Sequence, residues 1–132
     1  MLNYEAVAEA IRGQLQEALG IPVQIGAIPP TGGLSVTVGS GSVKRDLAGN
    51  AFASLRLGIN AKSPGQYDAV QAIHNAHEAV IDLTGEAEDR SWAITGISVA
   101  STPEVIQTDM TGNYITASTI EVRCVFWKGE ER

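Results

Sequence analysis

His74 and His77 stand three residues apart, with Glu78 and Asp82 close behind. Those are residue types from which one helix can assemble a metal chelate or a general base. The spacing of their neighbours argues against it. Val70, Ile73, His77, Val80 and Ile81 recur every three or four positions as an apolar stripe flanked by Tyr67 and His74, while Asp68, Asn75, Glu78 and Asp82 face the other way. His77 is thus expected as a buried, hydrogen-bonded histidine rather than a ligand. Gly96-Ile97-Ser98-Val99-Ala100 is a variant of the nucleophile elbow, but that motif needs a sharp turn into a helix after the serine. Ile97 and Val99 alternate here, and Ser101-Thr102-Pro103 and a further strand pattern follow, so Ser98 reads as a strand residue. Gly39-Ser40-Gly41 opens like a dinucleotide fingerprint, yet position 44 is lysine and no helix pattern begins there. Cys124 lies between Val122 and Phe126 on the apolar side of a strand pattern, where a thiol behaves as a small hydrophobe. No catalytic residue, metal or cofactor is expected, and the chain is not read as an enzyme.

The elements that carry these residues follow from periodicity. Residues 3–19 predict a helix with Tyr4, Val7, Ala8, Ile11, Leu15, Ala18 and Leu19 on one face, stopped by Gly20-Ile21-Pro22. Ile21, Val23 and Ile25 alternate as a strand that Pro22 confines to a sheet edge or end. A turn at Pro29-Pro30-Thr31-Gly32-Gly33 leads to a second strand through Leu34, Val36 and Val38. Gly39-Ser40-Gly41-Ser42 is then a flexible loop by composition. Ala51–Ala61 predicts a half-buried strand, Leu55, Leu57 and Ile59 opposite Ser54, Arg56 and Asn60. Ser63-Pro64-Gly65-Gln66 has the form of a capping box that opens the second helix, which Thr84-Gly85 closes. After an acidic loop come a strand from Trp92 to Val99 and a hairpin from Val105-Ile106, over a tip at Asp109–Asn113, back through Tyr114–Trp127. In the return strand Ile120, Val122, Cys124 and Phe126 alternate with Thr119, Glu121 and Arg123. The order is α-β-β-β-α-β-β-β. Two amphipathic helices on one face of a mixed, largely antiparallel sheet make an α+β fold, expected as one domain over 1–132.

Composition narrows the function classes. A chain of 132 residues, 44% hydrophobic and 18% charged, can bury about two-thirds of its unfolded surface and is no disordered tail. Fifteen acids against nine Lys/Arg give a net charge of −6, which disfavours a general DNA-coating role. One cysteine excludes an internal disulfide and fits a reducing compartment. The opening Met1-Leu2-Asn3-Tyr4-Glu5 has no basic region before an apolar run, so no secretory signal is expected. Ile21–Val43 is uncharged, but its prolines and glycines break it too often for a membrane span, and a soluble chain is expected.

With the element order in place, the whole chain resembles the minor capsid and tail-terminator proteins of long-tailed bacteriophages. The features that carry the resemblance are the first helix ending in Ala18-Leu19-Gly20-Ile21-Pro22-Val23 with the Ile28-Pro29-Pro30 turn, and the strand Ala53–Asn60 preceding the helix at Tyr67–Ile73. That helix closes with Ile81-Asp82-Leu83-Thr84-Gly85, and the final hairpin turns at Asp109–Tyr114 into a long strand with aromatic residues. The resemblance implies a virion protein that forms a ring, typically a hexamer. The ring caps the tail tube, stops its polymerisation and presents the surface to which the filled head joins. Implied partners are other copies of the chain, the tail tube protein, a head-completion or neck protein, and DNA passing without sequence-specific binding; no membrane is involved. The implied place is the head-proximal end of the tail, after assembly in the bacterial cytoplasm. A head-completion (connector) protein is the near alternative. A small α+β ligand-binding module or enzyme using the helix–sheet cleft is the more distant one, and a monomeric partner-binding domain is a third.

A ring needs a heterologous interface, one patch meeting a different patch on the next copy. Four residues are candidates for such contacts. Lys44 and Arg45 lie in the Gly39–Asn50 segment, which is expected to be disordered alone and ordered against an acidic neighbour. Met110 marks the hairpin tip, and Trp127 is expected to put an aromatic on the sheet side opposite Phe126. Glu86, Glu88 and Asp89 belong to an acid-rich stretch, read either as a solvated surface or as a wall that keeps passing polyanion from sticking.

Overall fold

In the computed structural model, which describes residues 2–28, 32–87, 89–108 and 112–128, the chain opens with α1 (Tyr4–Leu19). This helix buries Val7, Ala8, Ile11 and Leu15. The Asn3 side-chain oxygen accepts the Ala6 N–H at 3.2 Å, and Gly20 ends the helix at φ 69° with its N–H on the Gln16 carbonyl. The expected stop at Gly20 is the one observed. Ala18, placed on the apolar face by spacing, is exposed.

β1 (Val23–Ile25), β2 (Gly33–Arg45) and β3 (Ala51–Ser63) follow, then α2 (Gln66–Val80), β4 (Gly85–Glu86), β5 (Trp92–Thr108) and β6 (Tyr114–Phe126). They form a six-stranded sheet in the order β1-β2-β3-β6-β5-β4, with β1–β2 parallel and the other pairs antiparallel. The α+β class is as expected. The centre is the β3–β6 ladder, which runs without a register shift from Ala51↔Phe126 to Ser63↔Tyr114. Odd residues of β3 and even residues of β6 point to one face, where Leu57, Ile59, Ile120 and Val122 meet Ile11 and Leu15 of α1 and Ile73 and Val80 of α2, all fully buried. Each such side chain contributes about 1.5–3 kcal/mol relative to exposure. Both helices lie on that face, α1 over β1 and β2, and α2 over β3, β6 and β5. Tyr4 adds an edge-to-face contact with Phe126, ring centres 5.6 Å apart.

Several local readings give way to strand pairing. Gly39–Ser42 is not a loop: β2 continues through it to Arg45, paired with β3 up to Arg45↔Ala51. Its glycines serve close approach rather than flexibility. The register shifts between Val38 and Gly41, and a Cβ at Gly41 would run into the Ser54 carbonyl oxygen. The expected disorder of Gly39–Asn50 is replaced by strand and an ordered turn, in which the Asp46 carboxylate accepts the Asn50 N–H at 2.9 Å. The capping box does not form, because β3 holds Ser63 opposite Tyr114 as its last residue. Gly65 is the N-cap instead, and α2 starts at Gln66. That helix ends at Val80, before Thr84-Gly85. The strands expected at Trp92–Val99 and Val105-Ile106 are one strand, β5, which carries Pro103 through bulges along an edge where a missing N–H breaks no ladder. Beyond β6 its only neighbour among the described residues is β4, opposite Ala93 and Ile94. The third strand of that half is Gly85–Glu86, inside the supposed acidic loop.

At the other edge β1 is confirmed as an edge strand, yet only Val23 of its apolar residues is buried; Ile21 and Ile25 are exposed. Three residues of pairing is too little to hold it alone, and α1 supplies the rest. The Gln16 side-chain oxygen accepts the Val23 N–H at 3.2 Å, and Arg12 donates to the Val23 carbonyl at 3.2 Å.

Two glycine substitutions separate these roles. Gly41→Ala is expected to cost about 1–3 kcal/mol, since the backbone must shift away from Ser54. Gly13→Ala, in mid-α1 with open space around its Cβ position, is expected to stabilise by about 0.5–1 kcal/mol. Urea denaturation measures both, and equal effects of the same sign would contradict the assignment of Gly41 to a bulged strand.

Candidate assembly surfaces

The residues with chemical potential are occupied structurally. His77 is buried beneath α2, and its Nε2 lies 2.9 Å from the Ser118 hydroxyl. That hydroxyl donates to the Ile59 carbonyl at 3.3 Å, which leaves Nε2 to donate its hydrogen to the Ser118 oxygen. Burial, with a smaller push from His74, lowers the His77 pKa. Glu78, Asp82 and His74 are exposed, and among the described residues no three His, Cys, Asp or Glu side chains gather as a metal site. Ser98 sits within β5 opposite Glu121, on a strand and not at a turn; its hydroxyl is 3.4 Å from Arg123. Cys124 is buried, and burial alone pushes its thiol up to about 11, which suppresses thiolate chemistry at neutral pH.

Of the residues expected to mediate contacts, Lys44 is exposed next to Phe52, itself half-exposed, on the sheet face that carries no helix. Arg45 turns back on the Asp46–Asn50 turn and donates to the Gly49 carbonyl at 3.3 Å. β6 ends at Phe126, and Trp127 follows it, half-buried, with its backbone N–H on the Ser91 carbonyl at 2.9 Å. Met110 and Glu88 lie outside the described residues, as do the tip at Asp109–Thr111 and the turn at Pro29–Thr31. Glu86 is an exposed residue of β4, and Asp89 is exposed; the Ser91 hydroxyl, and next the Ser91 N–H that its carboxylate accepts at 3.0 Å, lower its pKa.

What periodicity alone did not bring together is the helix-free face of the sheet. The register places Lys44, Arg56, Lys62 and Arg123 there, with Glu104 and Glu121. Between them lie small polar residues: Ser42, Ser54, Thr37, Gly58 and Thr119. Arg123 is pinned across this face, 3.5 Å from Glu121 and over Gly96, whose missing side chain leaves it room. Two shallow depressions open here, one beside Lys44, Phe52 and Arg123 and one beside Arg56 and Asn60. The alternation of Ser54, Arg56 and Asn60 was the visible signal for β3, but only the pairing shows that β2 and β6 add their cations to the same face. No helix among the described residues is long and apolar enough to cross a membrane.

No protein-family model matches the chain, and no curated protein matches it. Among solved structures, a chain from the virion of a native gene transfer agent particle has the same fold, with a TM-score of 0.53. The likeness covers 87% of this chain and 91% of that one at 16% sequence identity.

A neutral His77 held out of water binds a proton less readily in the folded chain than in the unfolded one. Its contribution to stability is therefore fully present above the unfolded histidine pKa, about 6.5, and is lost as pH falls from there through the lower folded value. His77→Gln keeps an N–H donor for Ser118 but cannot titrate. Its stability is expected to fall less than that of the parent between about pH 7.5 and 5. Parallel urea-denaturation curves across that range would remove His77 as the source.

Proposed function

We propose that this chain is a non-catalytic structural component of a phage-type virion. Its copies close into a ring, a hexamer by the resemblance, that caps the tail tube, ends its polymerisation and offers the head-joining surface. The observation that carries the reading is the likeness of fold over nearly the full length of both chains to a component of a gene transfer agent virion. Reasoning from the residues supports it. His77, Ser98 and Cys124 are committed to packing and hydrogen bonds, whereas β2 and β5 expose long stretches of sheet edge with no strand neighbour among the described residues.

The partners in this reading are sibling copies, the tube protein on one side, a head-completion protein on the other, and DNA that passes without being read. The exposed Glu86 and Asp89 suit a surface that phosphates do not adhere to. The site of action is the head-proximal end of the tail.

Deleting the gene from its particle-producing system is expected to give tails of uncontrolled length and heads that stay unjoined, seen by negative-stain electron microscopy. Antibody labelling of separated heads and tails then fixes the side. Label on tails alone supports the cap, label on heads alone moves the chain to the connector, and normal joined particles reject both.

A further inference from the structure

The fold separates charge by layer. α1 and α2 carry five acids, Glu5, Glu9, Glu17, Asp68 and Glu78, all at exposed positions, and one lysine or arginine, Arg12, which is paired with Glu9. Across the sheet, the helix-free face carries Lys44, Arg56, Lys62 and Arg123 against Glu104 and Glu121, with Glu121 already beside Arg123. In a chain whose net charge is −6 this face is locally positive, and the two helices behind it hold five acids against one base.

The positive face is also shaped for contact. Small side chains at Thr37, Ser42, Ser54, Gly58 and Thr119 separate its larger ones, the depressions beside Arg56 and Lys44 are open, and Phe52 stands half-exposed toward the sheet end. A sheet with helices on one side only can accept a second helix layer on the other, at the usual spacing of about 10 Å between packed layers.

We infer that the helix-free sheet face of one copy receives the acidic α1–α2 layer of the next, so that the ring is built front to back. This rests on the ring reading above and names the two patches that reading requires. The contact is heterologous by construction, because front and back are different surfaces of opposite sign. Like faces repel: sheet against sheet brings cations together and helices against helices bring acids together. The charge pattern thereby excludes isologous pairing through either layer and leaves front-to-back order as the favoured one. Duplex DNA is the competing occupant for a positive face. The copy's own helix layer is favoured because it supplies the complementary charge on a surface of matching, layer-like shape.

The test is a charge exchange followed by sedimentation velocity. One variant, Lys44→Glu with Arg56→Glu, makes the sheet face negative; the other, Glu5→Lys with Glu17→Lys and Glu78→Lys, makes the helix layer net positive. All five positions are on the surface, and thermal melts confirm that each variant folds. Each variant alone is expected to self-associate at least tenfold more weakly than the parent. The two mixed are expected to regain association, since each then offers the face the other lacks. For the unaltered chain, association is expected to weaken on raising salt well above 0.1 M, where the screening length drops below about 10 Å. Salt-insensitive rings, variants that assemble like the parent, or a mixture that gains nothing would overturn the front-to-back contact while leaving the ring intact. A Lys44→Glu/Arg56→Glu chain that still forms rings but no longer retains a duplex DNA probe would assign the face to DNA. A parent chain that stays monomeric at every concentration removes the ring and this contact together.

Discussion

The β3–β6 ladder is the constraint on which the rest of this molecule depends. Two strands of thirteen residues pair from end to end without a slip, at the centre of the sheet and beneath α2. Because side chains alternate across a strand, this single register assigns every residue of both strands to the helix side or the open side. Leu57, Ile59, Ile120 and Val122 go under the helices, and Arg56, Lys62, Glu121 and Arg123 go out. A slip by one residue would bury those charges, at a cost of several kcal/mol for each ion. The buried His77–Ser118–Ile59 chain adds a polar check, since its hydrogen bonds form only when α2, β6 and β3 are aligned as found.

Around that ladder the sheet becomes progressively less finished. β2 follows β3 with one bulge, β5 follows β6 with several, and the outermost strands are three and two residues long. Thr37–Arg45 of β2 and Thr95–Thr108 of β5 therefore lie along edges with no strand neighbour among the described residues. Such edges invite uncontrolled pairing, and the devices that blunt them are present: bulges in both strands, Pro103 and Glu104 in β5, Lys44 and Arg45 in β2. In the ring proposed above, a copy must accept its neighbours and still not polymerise through the nearest backbone edge.

The same economy explains why the potentially reactive groups are quiet. A histidine, a serine and a thiol within reach of one sheet can make a site, but each here is spent on alignment or packing. The surface carries the information instead. Helices contribute acids, the open sheet contributes cations among small side chains, and the exposed residues Ile25, Val38 and Phe52 offer apolar contact at the margins.

Both helices, most of the α1 stripe, Ile73, His77 and Val80 of the α2 stripe, the Gly20 stop and the alternation in β3 and β6 were legible in the order of residues. Ile81, by contrast, is exposed, and Ala69 and Ala76 take buried places in α2. Each legible feature is a local matter: a period of 3.6 or 2, or a residue with one dominant conformational preference, speaks within a window of a few positions. Other features answered to partners distant in the chain. Gly39–Ser42 reads as a loop until β3 is alongside, and Ser63 reads as a cap until Tyr114 claims it. Thr102-Pro103 reads as a break until β5 is seen to have an open edge there. Trp127 reads as the next strand residue until β6 stops at Phe126. The positive sheet face belongs to this second kind, because its cations come from three strands and only their lateral pairing makes them one surface. Local preference is written in consecutive residues, whereas a face exists only after hydrogen bonds have set strands side by side.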